Sequence, residues 1–367
     1  MLSTLFQPYA MGDRLLANHI AMAPMTRARN PDCVADDLTA LNYRQRATAG
    51  LIVSEGTPVS PEGQGYIGVP GIWSQEQVAG WKKVTDAVHE EGGTIFAQIW
   101  HVGRMSHASL QPDNGAPVSS SNKPPANGPK NMAFVYLADG KPGFADPTLP
   151  RALSTEEVGR VTGDFVKAAV NAVNAGFDGI EIHAANGYLF EQFINPVIND
   201  RLDQYGGPME NRTRFLLETV DAIVDAIGAH RVGVRLAPNN RQFDMPEYSE
   251  NEATYLHIAS ELSARGIVYI HLNDNHALGV SVIPEQFLRE VRNAYSGTLI
   301  LAGAMTKQRA ERLVNEGMID VAAFGQPFIS NPDLVARLQA DIALTQPDRA
   351  TYYGGGAEGY TDYQAGI

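Results

Sequence analysis

Short apolar runs alternate with longer amphipathic stretches along most of the chain. The runs cover residues 19–24, 51–54, 94–99, 179–183, 232–236, 268–272, 298–302 and 321–324. Each has the length of a strand and is too short for a helix. Several are nearly unbroken in Val, Ile, Leu and Ala, as strands buried on both faces are. Helical periodicity fills the intervals at 75–91, 154–175, 209–227, 249–264, 306–315 and 331–340. Ser154 with Glu157, and Ser249 with Glu252, have the spacing of capping boxes. Gly176 follows an Ala-rich helix end, where a left-handed residue closes the last turn.

Strand and helix thus alternate about eight times, which predicts an α/β fold with a parallel sheet. So many units in one chain favour closure over an open doubly wound sheet. The prediction is a single (β/α)8 TIM barrel over residues 1–367. Two segments fall outside the repeat. Residues 5–9 and 14–18 read as an N-terminal hairpin turning at Gly12-Asp13, placed to plug the bottom of the barrel. Residues 102–153 form a long insertion after the third strand, rich in Pro, Gly, Ser and Asn. Leaving the C-terminal end of a barrel strand, it overhangs the face where barrel active sites are built and reads as a lid. The competing reading is a passive decoration or a contact between subunits.

Composition narrows the partners. With 44% hydrophobic and 19% charged residues, the chain of 367 residues is globular and buries a core without cross-links. The formal net charge of −13 speaks against nucleic acid or an anionic membrane as partner. The one cysteine, Cys33, excludes an internal disulfide and fits a reducing cytoplasm. No basic segment followed by a long apolar run opens the chain, and no stretch approaches the ~18 apolar residues of a membrane span.

Polar residues at the C-terminal ends of the buried runs carry the chemistry. They are Thr26, Gln98, His183 (with Asn186 and Tyr188 beyond it) and Arg235. Singly, each reads as a satisfied core residue, Arg235 in an ion pair with Glu181 or Glu55. Together, at equivalent ends of neighbouring strands, they read as one site. The loops after the seventh and eighth runs contain Gly303 and Gly325-Gln326, where backbone amides can approach a phosphate. Gln98 offers a donor and an acceptor to a uracil-like edge, and Arg235 a cation to a ring that becomes anionic on reduction. A flavin mononucleotide has these needs.

On these residues the chain resembles the old yellow enzyme family of FMN-dependent ene-reductases, in particular the bacterial branch of N-ethylmaleimide reductase and pentaerythritol tetranitrate reductase. The resemblance runs nearly end to end. It rests on Ala23-Pro24-Met25-Thr26-Arg27, on Gln98-Ile99-Trp100-His101, and on His183-Ala184-Ala185-Asn186-Gly187-Tyr188. It continues through Tyr205-Gly206-Gly207-Pro208 and Ser330-Asn331-Pro332-Asp333 to the tail Tyr353-Gly354-Gly355-Gly356. It implies that Pro24, Met25 and Gly56 contact the flavin ring through backbone atoms and that Thr26 donates to its O4. Gln98 would bind the pyrimidine edge, Arg235 N1 and O2, and the amides around Gly303, Gly325 and Gln326 the phosphate. His183 and Asn186 would hold the substrate oxygen, Tyr188 would supply a proton, and Tyr66, Trp100 and Tyr353 would wall the pocket. NADPH or NADH would be the reductant. Activated alkenes, namely α,β-unsaturated carbonyls, maleimides and nitroalkenes, and also nitroesters and nitroaromatics, would be the substrates. The single cysteine sets the chain apart from the iron–sulfur branch of these flavoproteins.

Other barrel chemistries have less behind them. A zinc hydrolase needs several ligands on different strand ends, and only His183 is so placed. A Schiff-base aldolase needs a strand-end Lys, and none of the eight runs contains one. A non-catalytic flavin carrier has no use for Tyr188 beside two donors. Three positions depart from the family's usual residues. Asn186 stands where some relatives have His, and both donate. Gly56 replaces Ala, which on sequence grounds only adds backbone freedom. Gln326 replaces Arg and loses a charge-assisted contact of ~1.5–3 kcal/mol. FMN is therefore expected to bind more weakly than in Arg-bearing relatives, unless another cation compensates, and Gln326→Arg to tighten binding about tenfold or more when apoprotein is titrated with the cofactor. Equal affinities would refute this reading of position 326.

Overall fold

The structure, a computed structural model, describes residues 3–274 and 283–366. Eight strands run parallel: β1 (Ile20–Met22), β2 (Leu51–Val53), β3 (Ile95–Trp100), β4 (Gly179–Ala184), β5 (Val232–Leu236), β6 (Tyr269–Asn273), β7 (Thr298–Ala302) and β8 (Val321–Phe324). Each pairs with the next, and β8 pairs with β1 to close the barrel. A helix follows every strand: α1 (Asp37–Arg44), α2 (Gln75–Glu90), α3 (Thr155–Asn174), α4 (Met209–Ile227), α5 (Asn251–Ala264), α6 (Glu285–Ala294), α7 (Lys307–Asn315) and α8 (Leu334–Gln339). The predicted (β/α)8 architecture is the observed one. Among the described residues no helix is long and apolar enough to cross a membrane.

Most helix ends follow their sequence signals. Ser154 and Glu157 form the expected capping box at α3, and Ser74 and Gln77 form another at α2. Gly176 has φ +92°, and the amide of Phe177 returns to the carbonyl of Ala172 at 3.0 Å. The Ser249–Glu252 box is not formed. α5 begins at Asn251 with Glu250 as its cap residue, so Ser249 lies one position too early to reach the exposed amides.

Alternation along the strands decides what fills the barrel. Phe96, Tyr269, Ile300, Val321, Ala323 and Leu51 point inward and form one apolar cluster at its lower end. Met11 and Leu16 of the N-terminal hairpin belong to the same cluster. Its strands are shorter than expected, Tyr9–Met11 paired with Arg14–Leu16. Residues 4–6 coil into a helical turn. Gly233 is the inward residue of β5 at this level. A Cβ there would lie 2.2 Å from the Tyr269 ring, so its absence makes the space that Tyr269 occupies.

The insertion is more ordered than its composition suggests. Ala133–Tyr136 and Pro142–Ala145 pair as an antiparallel hairpin, and Val118–Ser119 pairs with Arg151–Ala152 at its base. The hairpin is tied to the loop after β2, where the amide of Ile67 donates to the carbonyl of Phe134 at 2.8 Å.

Two glycine substitutions separate packing from propensity. Gly233→Ala is expected to destabilise the fold by ~1–3 kcal/mol through overpacking against Tyr269. Gly163→Ala, in open space on α3, is expected to gain ~0.5–1 kcal/mol. Denaturant unfolding of the two variants measures both signs.

Candidate active site

The upper half of the barrel is polar. Gln98 on β3, Glu181 and His183 on β4, Arg235 on β5 and His271 on β6 all face inward and are buried. Register places Gln98 beside Glu181, His183 beside Arg235, and Arg235 beside His271. Glu181 sits at the centre. It accepts from Gln98 Nε2 at 2.7 Å and from His271 Nδ1 at 2.8 Å. Burial raises the Glu181 carboxyl, but His271, Arg235 and Gln98 outweigh burial and hold it below the usual carboxylate range. Burial pulls the Arg235 guanidinium down, against the attraction of Glu181. Arg235 makes no direct ion pair with Glu181 or Glu55. Its Nη2 donates instead to Asn273 Oδ1 at 3.0 Å, and its Nε has no partner.

Above this layer the strand ends open into a recess of about 110 Å³ lined by Pro24, Thr26, Gly56, Gln98, Trp100, His183, Asn186, Tyr188 and Arg235. A larger cavity of about 640 Å³ adjoins it and shares Pro24, Thr26, Trp100 and Tyr188. Met25, Tyr66, Gln326, Tyr353, Phe243 and the insertion's Phe134 and Phe144 also line it. Insertion residues thus share this cavity with the strand ends. Gly303 and Gly325 line neither space. They lie just beyond β7 and β8, and Gly303, at φ +117°, has Arg309 donating to its carbonyl and to Asp274 Oδ2. Gln326 is exposed and donates to the Tyr352 hydroxyl at 3.0 Å.

The loop after β4 brings Asn186 and Tyr188 to the recess. Asn186 (φ +57°) and Gly187 (φ +81°) are both left-handed, a turn that Asn and Gly adopt most readily. Gly187 is clamped at both ends: its amide donates to Glu191 Oε2 at 2.7 Å, and its carbonyl accepts from Gln192 Nε2 at 2.8 Å. Gln192 also accepts from the Arg104 amide at 3.0 Å and from Ser119 Oγ at 2.8 Å, which joins the insertion to this loop. Burial pushes the Glu191 carboxyl up to about 7, against the donors Gly187 and Asn240.

His183 Nδ1 accepts from the Ala185 amide at 3.3 Å, so its proton resides on Nε2, which is a donor. Burial and the neighbouring charge of Arg235 pull this ring down to about 3. Tyr188 shares a hydrogen bond with Tyr66 between hydroxyls 3.2 Å apart, and burial raises both phenols. Trp100 stacks on Tyr66 and on His183, with centroids at 5.5 and 5.9 Å. The expectation that Gly56 only adds freedom is corrected here. A Cβ at 56 would lie 2.5 Å from the Trp100 ring, so Gly56 is what lets Trp100 lie where it does.

These features suit a planar, electron-accepting ring. A buried guanidinium nitrogen without a partner and an amide side chain edge one polar recess, which Pro24 and Gly56 also line. Sequence reasoning left Glu191, Gln192, His271 and Asn273 without roles and treated Glu181 only as a possible ion-pair partner. For Glu181, His271 and Asn273 a signal existed: they share the inward parity of Gln98, His183 and Arg235. Glu191 and Gln192 lie in a short helical turn whose register no pattern fixes.

The sequence model of the NADH:flavin oxidoreductase / NADH oxidase family matches residues 4–345. A putative 12-oxophytodienoate reductase 11 of Oryza sativa subsp. japonica is 42% identical over 98% of this chain and 96% of its own. Morphinone reductase, solved with tetrahydroNAD, superposes with a TM-score of 0.93 at 44% identity, covering 98% of this chain and 97% of the other. The old yellow enzyme homologue of Zymomonas mobilis superposes with a TM-score of 0.92 at 38% identity, covering 98% and 99%.

The sign of the His183 shift sets an expectation. A free imidazole takes up its proton near pH ~6.5, whereas the folded ring does so only near 3. Between those values the unfolded chain binds the extra proton, so this residue's contribution to stability falls as the solution is acidified through that window. Nitrogen chemical shifts of His183 are expected to report a neutral ring protonated at Nε2 throughout the neutral range. An imidazolium signal at pH 6 would contradict the assignment.

Proposed function

The chain belongs to the NADH:flavin oxidoreductase / NADH oxidase family, the old yellow enzymes, and from that premise we propose an FMN-dependent ene-reductase. Its substrates are activated alkenes, namely α,β-unsaturated carbonyls, maleimides and nitroalkenes, and it also takes nitroesters and nitroaromatics; NADPH or NADH is the reductant. The observation that carries this reading is the recess itself. A neutral His183 with its proton on Nε2, the Asn186 amide and the un-ionised Tyr188 hydroxyl line one space with Gln98 and Arg235. The hydrolase and aldolase alternatives find no support among the relatives.

In this reading Pro24, Met25, Thr26, Gly56, Gln98 and Arg235 seat the FMN ring, and Gly303, Gly325 and Gln326 seat its phosphate. Bound FMN supplies the hydride. The chain's own residues do the rest. His183 Nε2–H and the Asn186 amide donate to the carbonyl or nitro oxygen of the substrate and draw electron density from the conjugated bond, as an oxyanion hole does. Both donors are neutral, so neither proton is given up in the process. Tyr188 Oη holds a proton that burial keeps from dissociating, and hands it to the α-carbon. Tyr66 Oη, 3.2 Å away, passes it a replacement proton and draws its own from solvent. Trp100, Tyr66 and the insertion's aromatic residues shield the site from water. A cysteine-poor, acidic chain of this kind is proposed to work in the cytoplasm.

Two variants separate the roles. Replacing His183 and Asn186 together with Ala is expected to abolish 2-cyclohexenone reduction while FMN stays bound. Tyr188→Phe keeps the aromatic packing and loses the proton, so turnover should fall by ~10²-fold or more with substrate binding largely kept. Near-normal turnover of the double variant in a steady-state assay would refute the mechanism.

A further inference from the structure

The two substrate donors differ in one respect. The His183 ring is fixed by the Ala185 amide, which donates to Nδ1 and leaves the proton on Nε2. A primary amide has no such internal bias: turned over, Asn186 would offer an acceptor where a donor is needed. Something outside the loop must set its direction.

Asn273 is in place to do so. It is the last residue of β6, and its side chain lies between Arg235 and Asn186. Arg235 Nη2 donates to Asn273 Oδ1 at 3.0 Å, and Asn273 Nδ2 donates to Asn186 Oδ1 at 2.7 Å. A guanidinium can only donate. It therefore claims the oxygen end of Asn273, the amino end of Asn273 faces Asn186, and Asn186 is left to meet it with its oxygen. We propose that Asn273 is a positioning residue that passes the polarity of Arg235 to Asn186 and so turns Nδ2 of Asn186 toward the substrate oxygen. The relay rests on the ene-reductase reading above and deepens it. The cation assigned to the cofactor also orients one of the two donors assigned to the substrate.

Asparagine and aspartate at 273 have nearly the same shape and opposite consequences. A carboxylate only accepts. In Asn273→Asp it would accept hydrogen bonds from Arg235 on one side and from the Asn186 amino group on the other, turning Oδ1 of Asn186 toward the substrate. Asn273→Ala removes the bias without reversing it. A role in packing alone predicts the other order, with the isosteric Asp the milder change.

The test is equilibrium titration of oxidised, FMN-loaded protein with 2-cyclohexenone, no reductant present, followed by the flavin absorbance. The unperturbed spectrum of each variant reports cofactor retention. The relay predicts binding weakened about threefold in Asn273→Ala and about tenfold or more in Asn273→Asp. It also predicts that the Asp penalty vanishes when Asn186 is already Ala. Asp binding as well as Ala, unchanged binding in Asn273→Ala, or an Asp penalty that survives Asn186→Ala would each overturn the relay alone. A wild-type protein that takes up no FMN or binds no enone would overturn the underlying reading and the relay with it.

Discussion

A guanidinium buried at the mouth of a barrel has to be balanced by the residues around it, because removing a charge from water costs several kcal/mol unless partners replace the water. Arg235 is that charge. Much of the upper barrel reads as a response to it. Glu181 supplies the compensating carboxylate without a direct contact and is itself held by Gln98 and His271. His183, its neighbour across the β4–β5 register, stays neutral partly because Arg235 repels a second positive charge. Asn273 accepts a hydrogen bond from it. The nitrogen left without a partner borders the recess where the proposed ring lies. In the proposed function one cation thus bears on the cofactor seat, on the protonation of one substrate donor and, through the proposed relay, on the orientation of the other.

The remaining precision comes from backbone and small residues. Asn186 and Gly187 turn left-handed so that Asn186 and Tyr188 both line the recess, and the Glu191–Gln192 clamp holds that turn. Gln192 reaches Arg104 and Ser119 as well, so the insertion and the loop after β4 share one anchor. Gly56 admits Trp100, which packs on both Tyr66 and His183. Preorganisation here is a matter of few side chains with many bonds, which is what an electrostatic site needs if it is not to reorganise during reaction.

The barrel was legible in the sequence because closed parallel strands leave a strong trace: short, nearly continuous apolar runs at helical intervals. Strand-end polar residues were legible for the same reason, since Gln98 and Arg235 interrupt apolar runs and Thr26, His183, Asn186 and Tyr188 stand at or just beyond their ends. Tertiary contacts were not. That Gly56 answers to Trp100, and Gly233 to Tyr269, depends on neighbours far away in the chain. Ser249 and Glu252 have the right spacing, yet the helix starts after Ser249, and spacing alone does not locate a first turn. Residues 102–153 read as a loop because they are rich in Pro, Gly, Ser and Asn, while the hairpin at 133–145 is held by pairing with itself and with the loop after β2. Gly303 and Gly325 were placed by their position after the seventh and eighth strands, and that position is where they lie.

The central claim is a fixed positive charge, Arg235, facing the edge of a bound flavin. Free reduced flavin loses a proton near neutrality, and a cation held against that edge favours the anion. The most direct measurement is the absorbance of the anaerobically reduced, FMN-loaded wild-type protein between about pH 5 and 9. The account predicts the anionic reduced form throughout. A titration to the neutral form within that range would show that no such charge faces the ring.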